Sequence, residues 1–269
     1  MNIKSLTTIL AASLIALGCS GDGPDKSQGN GSSFALGADI SWTTKLEDMG
    51  CKFRSKDDKE KECTALMKEI GMNAIRIRVW VNPEDGYSGK EDVLEMARRA
   101  KRNGMKLMID FHYSDSWADP GKQVIPAAWL DLDLNGLCNA VAEHTRDVLE
   151  ALKAEGIDVA WVQVGNEVND GMLYHKALNE GSGVYADWAG GCISKGGKEN
   201  YIALNNAGYD AVKAVYPDAK VIVHISNGQT IGTAEWVLDA LGSKGKYDII
   251  GLSLYPGGST ETENSNWAP

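Results

Sequence analysis

The chain has 269 residues, 43% of them hydrophobic, and a formal net charge of −10; that is enough apolar material for one sizeable core and too ordinary a composition for overall disorder. An acidic balance with no Lys/Arg-dense block argues against a nucleic-acid partner, because phosphate binding depends on clustered cations that displace counterions. A neutral partner fits better.

The N-terminus begins Met1-Asn2-Ile3-Lys4, continues in an apolar run over residues 6–17 and reaches Gly18-Cys19, the charged, apolar, small-residue order of a secretory signal. The run is too short to span a bilayer as a mature helix. Cys19, after Ala16-Leu17-Gly18, resembles the lipid-modified cysteine of bacterial lipoproteins, although Ala16 stands where that pattern more often has Leu. The expected organisation is a signal peptide over residues 1–18, then a flexible tether over residues 19–33 that starts at a lipidated Cys19. A barrel domain follows from residue 34 to 269. Such a protein is exported and sits in the cell envelope, periplasmic or at the cell surface, held to a membrane by its lipid. A plain cleaved signal is the alternative.

From residue 34 onward, short apolar runs alternate with stretches of helical period. Strands are expected at residues 35–40, 74–80, 105–111, 159–164, 220–225 and 247–254. Helices are expected at residues 63–70, 91–102, 134–155, 201–215 and 234–241. Gly71, Gly104 and Gly156 fall where a helix ends before the next strand, as a left-handed C-cap requires. Repeated βα units imply a parallel sheet with covering helices. Periodicity does not separate a closed barrel from an open doubly wound sheet, but no GxGxxG or P-loop follows the first strand, which removes the usual nucleotide-binding form of the latter.

Polar residues recur at the C-terminal ends of these strands: Asp39, then Arg76 and Arg78, then Asp110 and His112, then Asn166-Glu167, then His224, then Tyr255. In a (β/α)8 barrel those ends converge on one face, where active sites are built. Asp39 and Arg76 read equally well as a structural ion pair, and His224 alone reads as a core histidine. Glu167 differs, because a carboxylate directly after an apolar strand is costly to bury without purpose. Partly desolvated, it should have a raised pKa and be able to protonate a leaving oxygen, as in glycoside hydrolysis, which needs a second carboxylate as well. Asn166 is placed to bond a sugar hydroxyl, and Arg78, His112 and Tyr255 to orient the second carboxylate.

Trp42, Trp80, Trp117 and Trp267 lie at or beyond strand ends, where indole faces can stack on a pyranose ring; Trp161 and Trp236 read as core. Cys51, Cys63, Cys138 and Cys192 permit disulfides in an exported protein or equally remain free thiols. No clustered His, Cys or carboxylate pattern calls for a metal, and no cofactor motif is present.

The runs Gly37-Ala38-Asp39-Ile40-Ser41, Ile75-Arg76-Ile77-Arg78-Val79-Trp80, Asp110-Phe111-His112-Tyr113-Ser114-Asp115-Ser116-Trp117-Ala118-Asp119-Pro120, Gly165-Asn166-Glu167 and Gly251-Leu252-Ser253-Leu254-Tyr255-Pro256 together resemble the arabinogalactan endo-β-1,4-galactanases, glycoside hydrolase family 53. The resemblance implies an α/β fold, the (β/α)8 TIM barrel, and retaining hydrolysis of β-1,4-galactan in pectic type I arabinogalactan. It implies Glu167 as acid/base, with Asn166, Arg78, His112, His224 and Tyr255 supporting it. The family's nucleophile follows a seventh strand, whereas about six βα units are seen here. Glu261 and Glu263 lack a preceding apolar strand and read as solvated loop carboxylates. The expectation is therefore an incomplete barrel lacking its nucleophile, with unpaired sheet edges. A galactan-binding lipoprotein without catalysis, or an inactive truncated paralogue, is the competing reading.

Overall fold

The computed structural model describes residues 34–179, 182–185 and 190–255. The expected signal, the tether with Cys19, Trp267, Glu261 and Glu263 lie outside the described residues. In chain order the elements are β1 (Gly37–Asp39), α1 (Thr43–Asp48), α2 (Cys63–Glu69), β2 (Ala74–Val79), α3 (Lys90–Arg102), β3 (Lys106–Phe111), α4 (Leu134–Ala154) and β4 (Trp161–Val164). Four short strands follow: β5 (Gly171–Met172), β6 (His175–Asn179), β7 (Ser182–Tyr185) and β8 (Gly191–Cys192). The chain then returns to the main pattern with α5 (Lys198–Val215), β9 (Lys220–Ile225), α6 (Ile231–Leu241) and β10 (Ile249–Leu252).

Three helix ends are built alike, and each aims the chain into a strand. Gly71, Gly104 and Gly156 have φ of 97°, 61° and 63°, the left-handed region that an L side chain rarely occupies. After α2, Gly71 N–H bonds to Lys68 O and Met72 N–H to Met67 O, the paired bonds of a Schellman stop. Met105 to Ala100 and Ile157 to Leu152 repeat it after α3 and α4. At the other end of α4, the Asp133 carboxylate accepts from Gly136 N–H and caps the first turn.

The six long-range strands form one parallel sheet in the order β1-β2-β3-β4-β9-β10. This is also their order in sequence. A doubly wound sheet must reverse direction at a switch point, whereas a sheet that never reverses is barrel winding. Register and alternation agree with that choice. Ile75, Ile77 and Val79 of β2 are buried on one face with Leu107, Ile109 and Phe111 of β3, Val162 and Val164 of β4, and Val221, Val223 and Ile225 of β9. Val93, Met96 and Ala97 of α3 and Val141, Val148 and Leu152 of α4 belong to the same core. The opposite face carries Arg76, Arg78, Asp110, Gln163 and His224, with Arg78 in register with Asp110 and Asp110 with Gln163. The fold is thus a (β/α)8-type α/β barrel represented by six parallel strands and their outer helices, with a polar inward face.

Several expectations need correction. β1 is three residues long and β10 ends at Leu252, so both are shorter than their apolar runs suggested. The excursion β5 to β8 interrupts the βα alternation between β4 and α5 as two antiparallel pairs. Trp161 is half-buried and turned inward, because Val162 and Val164 take the helix-facing positions of β4. Trp236 is 46% exposed, since Ala234, Val237, Ala240 and Leu241 supply the buried side of α6. Of the two states open to the cysteines, Cys51, Cys63, Cys138 and Cys192 take that of free thiols. Among the described residues no helix is long and apolar enough to cross a membrane.

Candidate active site

The inward face is organised around Arg76 on β2. Its guanidinium bonds Asp39 of β1 and Asp110 of β3, each at 2.6 Å, and donates to Asn166 Oδ1 at 3.0 Å. Asp110 is fully buried. Burial pushes its carboxyl up, but the Arg76 charge and then His112 more than offset this and hold it below the usual carboxylate range. Asp39 also accepts from Ser41 Oγ at 2.7 Å, and Ser41 Oγ in turn accepts from Arg78 N–H at 2.8 Å. Asp39 and Arg76 are thus an ion pair.

Asn166 and Glu167 occupy a tight turn at the end of β4. Gly165 has φ 80° and Glu167 φ 51°. A non-glycine residue in that region costs about 1–3 kcal/mol and persists only when its surroundings over-determine it. They do so here: Val168 N–H bonds to His224 O at 2.9 Å, Glu167 N–H reaches His224 Nδ1 at 3.3 Å, and Gln123 Nε2 donates to Asn166 O at 2.9 Å and to Glu167 O at 3.4 Å. Asn166 Nδ2 donates to Ala118 O at 2.7 Å, which ties the turn to the loop after β3. The Glu167 carboxyl is half-buried. Burial pushes it above the usual range and the Asp119 charge adds to that, while Arg76 and a hydrogen bond from Ser253 oppose the shift. A carboxyl so held keeps its proton to higher pH than a free glutamic acid, as a general acid must.

The two histidines at the mouth have different partners. His112 Nε2 bonds Asp110 Oδ2 at 3.0 Å, and its Nδ1 accepts from Ala118 N–H at 2.9 Å, so both nitrogens are used within the protein. Through these two bonds it ties the loop after β3 to Asp110. His224 Nε2 lies 2.7 Å from Ser253 Oγ, and burial pushes its pKa down to about 4.

Beside this polar group, Arg78 is buried under three indoles. Its guanidinium carbon lies 4.8 Å from the Trp42 ring centre, 4.9 Å from Trp80 and 4.0 Å from Trp117, a cation–π cage. One Arg78 nitrogen donates to Ser88 Oγ at 3.3 Å, while Nε has no hydrogen-bond partner among the described residues. Burial lowers the Arg78 pKa, against the pull of Asp39 and Asp110. Trp117 is 43% exposed and Trp42 is half-buried, so both present surface. Trp80 is buried, with its ring 6.0 Å from each of the other two; it backs the indole wall rather than forming its outer face. A cleft of about 480 Å³ opens beside it, bounded by Trp80, Asn82, Pro83, Glu84, Asp115 and Ser116. A cleft of equal volume under α3 is occupied by the Arg99 ion pairs with Glu47 and Glu95 and holds no group poised for chemistry.

Tyr255 is 58% exposed, three residues past the end of β10. Gln163, Gln123 and Ser253 join the site without having been singled out from the sequence. Gln163 and Ser253 follow the inward parity of β4 and β10, a signal that strand alternation carries. Gln123 lies in a loop with no periodicity to reveal it. No group of three His, Cys, Asp or Glu among the described residues is arranged to hold a metal ion.

A family model described as Glycosyl hydrolase family 53 matches residues 35–266. An endo-beta-1,4-galactanase of Bacillus subtilis (strain 168) is 34% identical over 86% of this chain and 51% of its own length. A solved structure from a study of two fungal beta-1,4-galactanases is 32% identical with a TM-score of 0.71, covering 82% of this chain and 63% of the other. The Ignisphaera aggregans GH53 catalytic domain is 29% identical with a TM-score of 0.74, covering 89% and 64%. The chain therefore spans between half and two thirds of the length of these relatives.

Proposed function

Because this chain belongs to glycosyl hydrolase family 53, we propose that its strand-end face takes part in endo-hydrolysis of β-1,4-galactosidic bonds in galactan, with Glu167 as general acid/base. The observation that carries this reading is the Asn166-Glu167 turn. A half-buried carboxyl with a raised pKa is held in a strained backbone by hydrogen bonds from three other segments. Strain of this kind persists only where its surroundings over-determine it, and here it fixes the position of the carboxyl at the strand end.

In the retaining sequence, Glu167 gives its proton to the departing glycosidic oxygen while a second carboxylate attacks the anomeric carbon. Glu167, now ionised, then takes a proton from the water that releases the sugar. Asp39 and Asp110 are neutralised by Arg76, and Asp119 crowds Glu167 electrostatically. None of these suits the nucleophile, which we place outside the described residues. Arg78 Nε, buried and without a hydrogen-bond partner among the described residues, is an available donor to such a group. Asn166 uses one amide hydrogen on Ala118 O, and its other is the candidate for a sugar hydroxyl.

The test is incubation of the protein with β-1,4-galactan, with products followed by chromatography and by NMR of the new anomeric centre. Release of oligosaccharides with the β anomer first, and a loss of about 10²–10⁴-fold in kcat for Glu167→Gln, supports the reading. Binding of galactan with no product even from the intact protein favours a carbohydrate-binding role, in which Trp117→Ala weakens binding and Glu167→Gln does not. For the N-terminus we propose export and lipid attachment at Cys19; Cys19→Ser should move the protein from the membrane fraction to the soluble one.

A further inference from the structure

Between β2 and α3 the chain passes through Ser88, which is buried and has φ 62°. A residue with a side chain persists in that region only where its surroundings over-determine it, whereas glycine adopts it freely. All three polar groups of Ser88 are engaged. Its N–H donates to Asp92 Oδ2 at 2.6 Å, its carbonyl accepts from Trp80 N–H at 2.8 Å, and its Oγ accepts from the Arg78 guanidinium at 3.3 Å. The first of these bonds is a helix-start arrangement, in which a carboxylate in the first turn of α3 reaches back to a free backbone N–H. A glycine N–H would serve it equally. Only the bond to Arg78 needs the serine hydroxyl. Asp92 is itself fixed, because its other oxygen accepts from Thr44 Oγ1 of α1 at 2.6 Å.

Arg78 has little else to set its orientation. Among the described residues its guanidinium forms no ion pair, since Asp39 and Asp110 are both engaged by Arg76, and its one hydrogen bond goes to Ser88. The indoles of Trp42, Trp80 and Trp117 attract the cation, but a contact with a ring face does not choose which nitrogen of the guanidinium points where. A hydrogen bond does, because the group is a rigid planar fork and holding one N–H directs the others.

We propose that Ser88 is a positioning residue for Arg78: it accepts one terminal N–H of the guanidinium, is itself held by Asp92 and Thr44, and so fixes the direction of the buried Nε–H that has no partner among the described residues. The strained backbone at position 88 then has a reason, since the hydroxyl that a glycine lacks is the group in use. The catalytic meaning rests on the reading of Arg78 Nε as donor to the second carboxylate. The hydrogen-bond set stands without that reading.

The experiment is nitrogen NMR of the Arg78 guanidinium in the intact protein and in Ser88→Ala and Ser88→Gly, with the signals identified by their loss in Arg78→Lys. In the intact protein the two Nη groups of Arg78 should be distinct, the mark of slow rotation about the Nε–Cζ bond. Both variants should rotate at least about tenfold faster, as the loss of one hydrogen bond from a charged donor requires. Ser88→Gly decides between the readings: it relieves the backbone and keeps the N–H for Asp92, so a serine with a merely structural part predicts unchanged rotation there. Unchanged rotation in either folded variant overturns the proposal. So does rapid averaging of the two Nη groups in the intact protein, a result that needs no variant and survives any folding defect. If rotation quickens and kcat on galactan falls about tenfold in Ser88→Gly with KM little changed, the positioning and the donor role of Arg78 both stand. If rotation quickens and kcat does not move, the positioning stands and the donor reading of Arg78 falls. Absence of hydrolysis by the intact protein removes the galactanase reading, and the NMR result still decides the part of Ser88.

Discussion

Replacing Arg76 with Met, which keeps much of the side-chain volume and removes the charge, tests the electrostatic core of the site. Arg76 neutralises Asp39 and Asp110 at 2.6 Å each, but the two pairs are unequal. Asp39 retains access to water, and its loss of a partner should cost no more than about 1 kcal/mol. Asp110 has no access at all, so breaking its pair strands a buried charge at about 3–5 kcal/mol. Set against a total stability of about 5–15 kcal/mol for an ordinary domain, that is a large fraction.

The loss should also depend on pH in a direction fixed by Asp110. In the intact protein its folded pKa lies below the unfolded value of about 3.9. The group therefore contributes stability above that value and loses it as pH falls through the folded pKa. Without Arg76, burial is opposed mainly by His112, and the folded pKa rises above the unfolded one. Stability is then present below about pH 3.9 and lost as pH rises. Urea unfolding followed by tryptophan fluorescence at pH 4.5 and 7.5 should show the larger deficit at pH 7.5, and adding Asp110→Asn should recover part of it. A deficit under about 1 kcal/mol, equal at both pH values, would refute the reasoning that Asp110 is held ionised by Arg76.

Asp119 raises the Glu167 pKa through its charge, so Asp119→Asn should lower the alkaline limit of galactan hydrolysis; an unchanged pH–rate profile would show that burial alone sets the acid. On α5, a Cβ at Gly208 would stand 2.6 Å from Val164 Cγ1 and 3.0 Å from the Tyr113 hydroxyl, so Gly208→Ala should destabilise by about 1–3 kcal/mol in a denaturant melt. A stabilised variant would mean that α5 shifts freely on β4. His144, packed edge-on against Phe111 and Trp129, has its folded pKa pushed down by burial to about 4, below the unfolded value of about 6.5. The unfolded chain thus binds the extra proton between those values, and stability falls as pH drops from 6.5 to 4, by about 2–3 kcal/mol for this group. His144→Leu should flatten that part of the profile, and one that keeps its full slope would exclude His144 as the cause.

Much of the architecture was legible because it rests on local chemistry. Apolar runs at residues 74–80 and 220–225, amphipathic stretches such as 134–155, and the glycines at 71, 104 and 156 specify strands, helices and stops through side-chain period and backbone sterics. Those signals are carried by neighbours in sequence, and they placed β2, β3, β9, α3 and α4 to within a residue or two. The Asn166-Glu167 turn was equally visible, since a carboxylate after an apolar strand is a local anomaly.

What tertiary structure decided is whatever depends on groups far apart in the chain. Barrel winding instead of double winding lies in the strand order, which no single strand encodes. Trp80 and Trp117 look alike as strand-end aromatics, yet one is buried beneath the other and Trp42 because Arg78 draws all three together. His112 reads from the sequence as an orienting residue at a strand end, and only the fold shows that Asp110 and Ala118 are its partners. Gln123, Gln163 and Ser253 acquire meaning only where strands β4, β9 and the end of β10 meet. Hydrogen-bond satisfaction is a property of three-dimensional neighbours, and sequence period reports only which way a side chain points.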